Sequence, residues 1–298
     1  EVSLRMLSLI PEPRIDWIRK RWVGYLFSSL MVALGLFGIF VKGPRRLGLD
    51  FTGGTVQEIH LKQDVDLGTI RASLIASGLE GLHLQFYGRP AERNILIRTK
   101  SESTQTIRKA LSDLMGQEQF EVRRSEALGP AAGSQLFSKA LKAIAISLGI
   151  MLVYLGWRFQ LKYAVCAIIP LVHDVIVSLG VFFLTGREFS LPIVAALLTI
   201  IGYSVNDTIV TLDRIREDVK LFRKEEFSKI VNLSINQTFS RTVITSTTAL
   251  FGVLALFLFG GPAINDFAFI LLVGFISGVY STIFVAGPLL VDWSRKSS

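Results

Sequence analysis

Asp207 and Arg241 stand inside apolar stretches long enough to cross a bilayer, at 191–212 and 241–259. An ionised side chain at that depth costs about 2.5–3.5 kcal/mol even on lenient insertion scales, so it needs a partner or a task. A carboxylate on one span and a guanidinium on the next are the simplest mutual partners. Of the two, only the carboxylate exchanges a proton, because arginine stays charged. These residue types point to a proton-coupled membrane machine, with a static ion pair between two helices as the rival. Helical spacing sets Thr199, Tyr203 and Val210 near the face of Asp207. Thr238, Arg241, Thr242, Thr245, Thr248 and Gly252 form a polar and small-residue stripe suited to facing helices or water instead of lipid. His173 and Asp174, midway along another apolar stretch, make a second polar site. It reads equally as a proton relay or as a structural hydrogen bond to a neighbouring helix.

Six apolar stretches must position these groups: 22–41, 140–159, 163–184, 191–212, 241–259 and 267–290. Each approaches the ~20 residues that a spanning helix needs. Half of the residues are hydrophobic, yet 19% are charged, so the membrane part carries a soluble portion. The net charge of +8 lies beside the apolar stretches, which argues for membrane flanks and against a nucleic-acid partner. Lys and Arg mark one side: Arg5, Arg14, Arg19, Lys20 and Arg21, then Arg158 and Lys162, then Arg214 to Lys229, then Arg295 and Lys296. The opposite short loops hold Arg187 alone. The tail 1–21, the segment 213–240 and the tail 291–298 are therefore expected in the cytoplasm, and 42–139 outside. Within 213–240, the mixed charges of 213–229 suggest an interfacial helix or, failing that, a docking surface. The first stretch lacks a signal-peptide cleavage site and reads as a retained anchor. The chain opens on Glu1 instead of Met, which leaves room for a longer polypeptide. The single cysteine, Cys166, is expected to pack, not react.

The external segment alternates in a readable order: strand 55–61, helix 67–77, strands 82–87 and 94–99 around a turn at 88–90, helix 104–115 and strand 120–125. That is βαββαβ, the ferredoxin-like arrangement. The fold class is thus a polytopic α-helical membrane protein with six transmembrane helices and a small external α+β domain. His60 and His83 are isolated, and no Cys/His/carboxylate cluster has metal-ligand spacing. With no catalytic triad either, an enzyme is not expected. Ahead of the domain, Asp50, Phe51, Thr52, Gly53, Gly54 and Thr55 mark a backbone path closed to ordinary side chains. A structural turn is favoured there over a phosphate cradle, since no P-loop Lys-Ser/Thr follows and no helix is expected to open.

Four motifs in register carry a resemblance: Leu47-Gly-Leu-Asp-Phe-Thr-Gly-Gly-Thr55, Pro170-Leu-Val-His-Asp-Val175, Gly202-Tyr-Ser-Val-Asn-Asp-Thr208 and Asn236-Gln-Thr-Phe-Ser-Arg-Thr242. The chain resembles the SecF branch of the SecD/SecF protein-export family. The resemblance implies a partner, SecD, separate or fused upstream, and a twelve-span body like that of resistance-nodulation-division exporters. It further implies assistance to unfolded preproteins leaving the SecYEG channel and the SecA motor, with protons as coupling ion and no cofactor. The bacterial cytoplasmic (inner) membrane is the implied location. By the same match Asp207 and Arg241 fall on the family's intramembrane acid and base. A proton-coupled small-molecule exporter and a structural scaffold remain the alternatives.

Overall fold

The protein is described from a computed structural model, which covers residues 13–79, 81–87, 93–100 and 103–296. The turn expected at 88–90 and most of the N-terminal tail lie outside the described residues. Among the described residues, six helices are long and apolar enough to cross a membrane. The first is α1 (Arg21–Phe37), continued by a π-helical turn at Gly38–Lys42. A one-turn helix α2 (Leu49–Thr52) leads into the external domain. That domain runs β1 (Gly54–Leu61), α3 (Leu67–Ala76), β2 (His83–Tyr87), β3 (Asn94–Thr99), α4 (Thr104–Met115) and β4 (Phe120–Leu128). The strands pair antiparallel in the order β2-β3-β1-β4, the ferredoxin-like sheet. The core is local: Ile59, Ile95 and Ile97 from the strands meet Ile70, Leu74, Ile107 and Leu111 from the two helices. Alternation along β1 and β3 sends one face inward, as the period of two requires.

The other spans are α5 (Pro130–Arg158), α6 (Leu161–Leu184), α7 (Leu191–Leu221), α8 (Phe227–Phe259) and α9 (Pro262–Ser281). The chain passes from α9 through a π-helical turn, Thr282–Ala286, into α10 (Gly287–Lys296). Backbones approach closely where glycines meet. A Cβ on Gly180 of α6 would lie 2.1 Å from the Cα of Gly35 on α1, so neither position tolerates a side chain without separating the helices. Such contacts substitute in lipid for the missing hydrophobic drive between helices.

Three expectations are corrected. No separate interfacial helix fills 213–240, because α7 continues to Leu221 and α8 begins at Phe227. Neither glycine nor proline occurs between Gly202 and Gly252, so both helices run past the apolar stretches and leave only the turn at 222–226 between them. The drop in hydropathy marks where water begins, while the helix goes on. Arg241 therefore lies 14 residues inside α8 instead of opening a span. Likewise α5 starts at Pro130, ten residues before the apolar stretch, with proline at a first-turn position where its missing N–H costs nothing. Third, a helical turn does open in the Gly48–Thr55 motif, as α2.

Candidate functional site: two intramembrane carboxylates

Asp174 sits near the middle of α6, ten residues or about 15 Å from its end at Leu184. It is 1% exposed and draws three helices together. Ser204 Oγ of α7 donates to Oδ2 at 2.6 Å, and Ser281 Oγ of α9 donates to the same oxygen at 2.8 Å. Ser277 Oγ of α9 donates to Oδ1 at 2.6 Å, and His173 Nδ1 lies 3.0 Å from Oδ1. A carboxylate offers about four lone-pair sites, and each has a neighbour here. Short serines reach because α9 is pressed against α7. A Cβ on Gly274 would come within 2.3 Å of Ile200, and one on Gly278 within 3.2 Å of Ser204. One turn further on, Thr208 of α7 meets Thr282 at 3.0 Å, where the π-helical turn begins.

Asp207 lies on α7, 16 residues or about 24 Å from Leu191. It too is buried, but among the described residues its carboxylate has one hydrogen bond, from Ser246 Oγ of α8 to Oδ2, at 3.2 Å. The expected contact with Arg241 is not made: among the described residues no ion pair joins them. The reason is helical phase. Ser246 faces Asp207, and Arg241, five residues earlier, is rotated by about 140°. Arg241 is exposed and lines an open groove between α7 and α8 with Asp213, Arg214, Glu217, Gln237 and Thr238. One turn from Asp207, Tyr203 stacks on Phe275 at 3.9 Å, and its buried hydroxyl has no partner among the described residues. Thr199 bonds back to Ala195 of its own helix.

The polar stripe read along α8 divides in two. Thr238 and Thr242 are buried with Ser246, while Arg241, Thr245, Thr248 and Gly252 are exposed. Beside them α7 exposes Thr199, Gly202 and Asn206. The result is a polar outer face at membrane depth, with Asp207 just behind it.

The motif at 48–55 forms the joint between spans and domain. Asp50 Oδ2 accepts from Leu191 N at 2.7 Å, so it caps the first turn of α7. Phe51 is buried and stacks on Phe189 at 5.2 Å. The N–H groups of Phe51, Thr52 and Gly53 bond within the turn, and Thr52 Oγ1 donates to Gly48 O, so these four donors are committed to the turn itself. Gly53 and Gly54 have φ of 75° and 138°, and a Cβ on Gly54 would strike Thr99 O at 2.1 Å. Thr55 Oγ1 accepts from Ser103 N at 2.9 Å. Arg98 of β3 reaches Glu188, in the α6–α7 connection, at 2.6 Å. On the other side, Arg187 of the same connection pairs with Asp266 of α9. Among the described residues, no group of three His, Cys, Asp or Glu could hold a metal ion.

Sequence reasoning missed several partners. Ser204, Ser277 and Ser281 were unremarked, although Ser277 and Ser281 are one helical turn apart beside Gly274 and Gly278, a signal of close packing. The segment before α1 was read as a tail, yet Trp17 and Ile18 are buried there. Asn232 Oδ1 accepts from Trp17 N at 2.8 Å and Asn236 Oδ1 from Trp17 Nε1 at 3.0 Å, which fastens the segment to α8. At the far end of α7, Asp218 is fully buried, accepts from Ser234 Oγ at 2.8 Å, and lies 3.2 Å from Arg214 Nη2.

Carboxylates buried among six spans, below a small domain outside the helix bundle, define a polytopic membrane protein of the transport kind. The family model described as "Protein export membrane protein SecD/SecF, C-terminal" matches residues 107–296. A protein translocase subunit SecF from Desulfurispirillum indicum is 42% identical, over 95% of this chain and 92% of its own length. Another SecF, from Calditerrivibrio nitroreducens, is also 42% identical and matches over 96% of both chains. The crystal structure of SecDF, a translocon-associated membrane protein from Thermus thermophilus, superposes with a TM-score of 0.83 at 37% identity, over 95% of this chain. The match spans 39% of that longer chain. The chain belongs to the SecD/SecF protein-export family, and the relatives it matches nearly end to end are SecF subunits of protein translocase.

Proposed function

We propose that this chain is the SecF-type half of a two-part accessory complex that uses the proton-motive force to help preproteins leave the SecYEG channel, with SecA acting from the cytoplasm. The observation that carries the reading is the polar outer face of α7 and α8. Asn206 and Arg241 are exposed there at a depth where lipid would leave an amide and a guanidinium unsatisfied, and Thr199, Thr245 and Thr248, whose hydroxyls bond back to their own helices, extend the same face. A second six-span protein with a matching polar face, SecD, covers them and encloses Asp207 at the boundary. Asp207, held by one hydroxyl, takes and releases the proton, and Arg241 approaches or withdraws as the two halves shift. Each proton crossing carries about 2.3 kcal/mol per 100 mV of membrane potential. The joint at Asp50, which caps α7, passes a shift of that helix to the external domain. In this reading both termini and the α7–α8 connection are cytoplasmic, the membrane is the bacterial inner membrane, and the domain is periplasmic.

The test is preprotein export into inverted vesicles with and without a proton gradient. Asp207→Asn keeps shape and hydrogen bonding but cannot ionise, so it should assemble with SecD normally and lose the gradient-stimulated part of export. Full stimulation in a well-assembled Asp207→Asn complex would leave Asp207 a structural residue and remove the proton reading.

A further inference from the structure

Resting on that proton-driven reading, we propose that His173 is a second proton-binding group, taking its proton on Nε2 while Asp174 orients the ring. Three serine hydroxyls donate to Asp174 at 2.6–2.8 Å, two to Oδ2 and one to Oδ1, so both oxygens serve as acceptors. With Asp174 in that accepting role, the proposal assigns His173 Nδ1, 3.0 Å from Oδ1, as the donor. That fixes the neutral imidazole as the Nδ1–H tautomer and leaves the basic lone pair on Nε2. The Nε2 atom is buried and has no partner among the described residues, in a side chain 6% exposed. An acceptor buried without a donor is costly, and a proton bound there, shared with a water or a partner hydroxyl, relieves the cost.

The step balances simply. One proton forms the Nε2–H bond, the ring becomes imidazolium, and the His173–Asp174 pair passes from net −1 to net zero; release reverses it. The surroundings suit that change. From α9, Tyr280 stacks against the imidazole, with ring centroids 6.2 Å apart and planes 28° from parallel. The Tyr280 hydroxyl donates to Gly24 O of α1 at 2.7 Å and accepts from Ser28 at 3.2 Å, so the ring is held from the opposite helix. Other charges near α6 are committed elsewhere: Arg21 of α1 pairs with Asp292 of α10, which also accepts from Tyr25, and Asp207 of α7 accepts from Ser246. From α5, Arg158 pairs with Asp213 at the helix end. Asp174 and Tyr280 are thus the titratable groups bonded to or stacked on His173 among the described residues. Asp174 is a positioning residue here, and the imidazole carries the charge change.

Two measurements test this on the full chain assembled with SecD. The chain has three histidines, and His60→Gln with His83→Gln leaves one imidazole to observe. With 15N-labelled histidine, Nδ1 should stay protonated at every pH, and Nε2 should pass from unprotonated to protonated as pH falls. An Nε2–H tautomer throughout, or an Nε2 that never takes a proton within the stable range of the fold, overturns the proposal. The second variant is His173→Asn, whose amide reaches the Nδ1 position and keeps the bond to Asp174 but has no Nε2. Gradient-stimulated export should fall to the level seen without a gradient. Full stimulation would show that His173 serves only as a donor to Asp174, and would also overturn it. If His173→Asn fails to assemble, the nitrogen titration decides alone. Failure of the wider reading is distinguishable, because an indifferent Asp207→Asn would remove Asp207 as the proton carrier while leaving the Nε2 titration as measured.

Discussion

Asp174 and Asp207 are both buried carboxylates on neighbouring spans, and they are built differently. Asp174 has four neighbours at hydrogen-bond distance from three helices, in a place where glycines bring α7 and α9 together. Asp207 has one hydroxyl at 3.2 Å, beside a face of the bundle that is polar and open. Saturation holds a charge in place, because every bond must be broken before the group changes state. A sparsely bonded carboxylate at an interface changes state at lower cost. The same chemical group thus serves as a hub in one place and as a candidate proton carrier in the other. Beside the hub, His173 Nε2 is buried without a partner among the described residues, and it is there that the proposal places a second proton.

The largest stability effect expected is that of Asp174→Leu. Interhelical hydrogen bonds in membranes average about 0.6 kcal/mol, so removing the common acceptor should cost about 2 kcal/mol and lower the thermal unfolding midpoint in detergent. Asp207→Leu should cost well under half of that, and equal losses would erase the distinction between hub and carrier. A finer contrast comes from the serines. Ser281→Ala and Ser246→Ala each remove one bond, about 0.6 kcal/mol. Ser281→Ala should register in stability, whereas Ser246→Ala should also change gradient-stimulated export, because it strips Asp207 of its one donor. The smallest effect belongs to the outer joint. Arg98 and Glu188 are 36% and 41% exposed, so a double-mutant cycle should report about 0.2–1 kcal/mol, fading at high salt. A coupling that ignores salt would mean the joint is drier and stronger than its exposure implies.

Much of this architecture is written in local patterns. Long apolar runs report spans because a membrane demands about 20 such residues, and period-two runs with short helices between them spell out β1 to β4. The presence of a charge at 207, 241 or 174 needs no tertiary structure to attract attention, since its cost is set by the apolar neighbours in the chain. What hydropathy cannot report is where a helix ends. Residues 213–240 hold charges but no helix breaker, so α7 and α8 run on beyond the apolar stretches.

Pairing was beyond the sequence for a different reason. Asp174 and its donors Ser204, Ser277 and Ser281 are separated by 30, 103 and 107 positions, and only the close approach of α6, α7 and α9 brings them within 3 Å. Helical phase likewise turned Ser246 toward Asp207 and Arg241 away from it, although both stand on the same helix. Residue types and spans follow from the chain alone, because their energetics are local. Which carboxylate is saturated and which stays open was decided by the packing of helices distant in sequence, because a hydrogen bond depends on distances that no local pattern encodes.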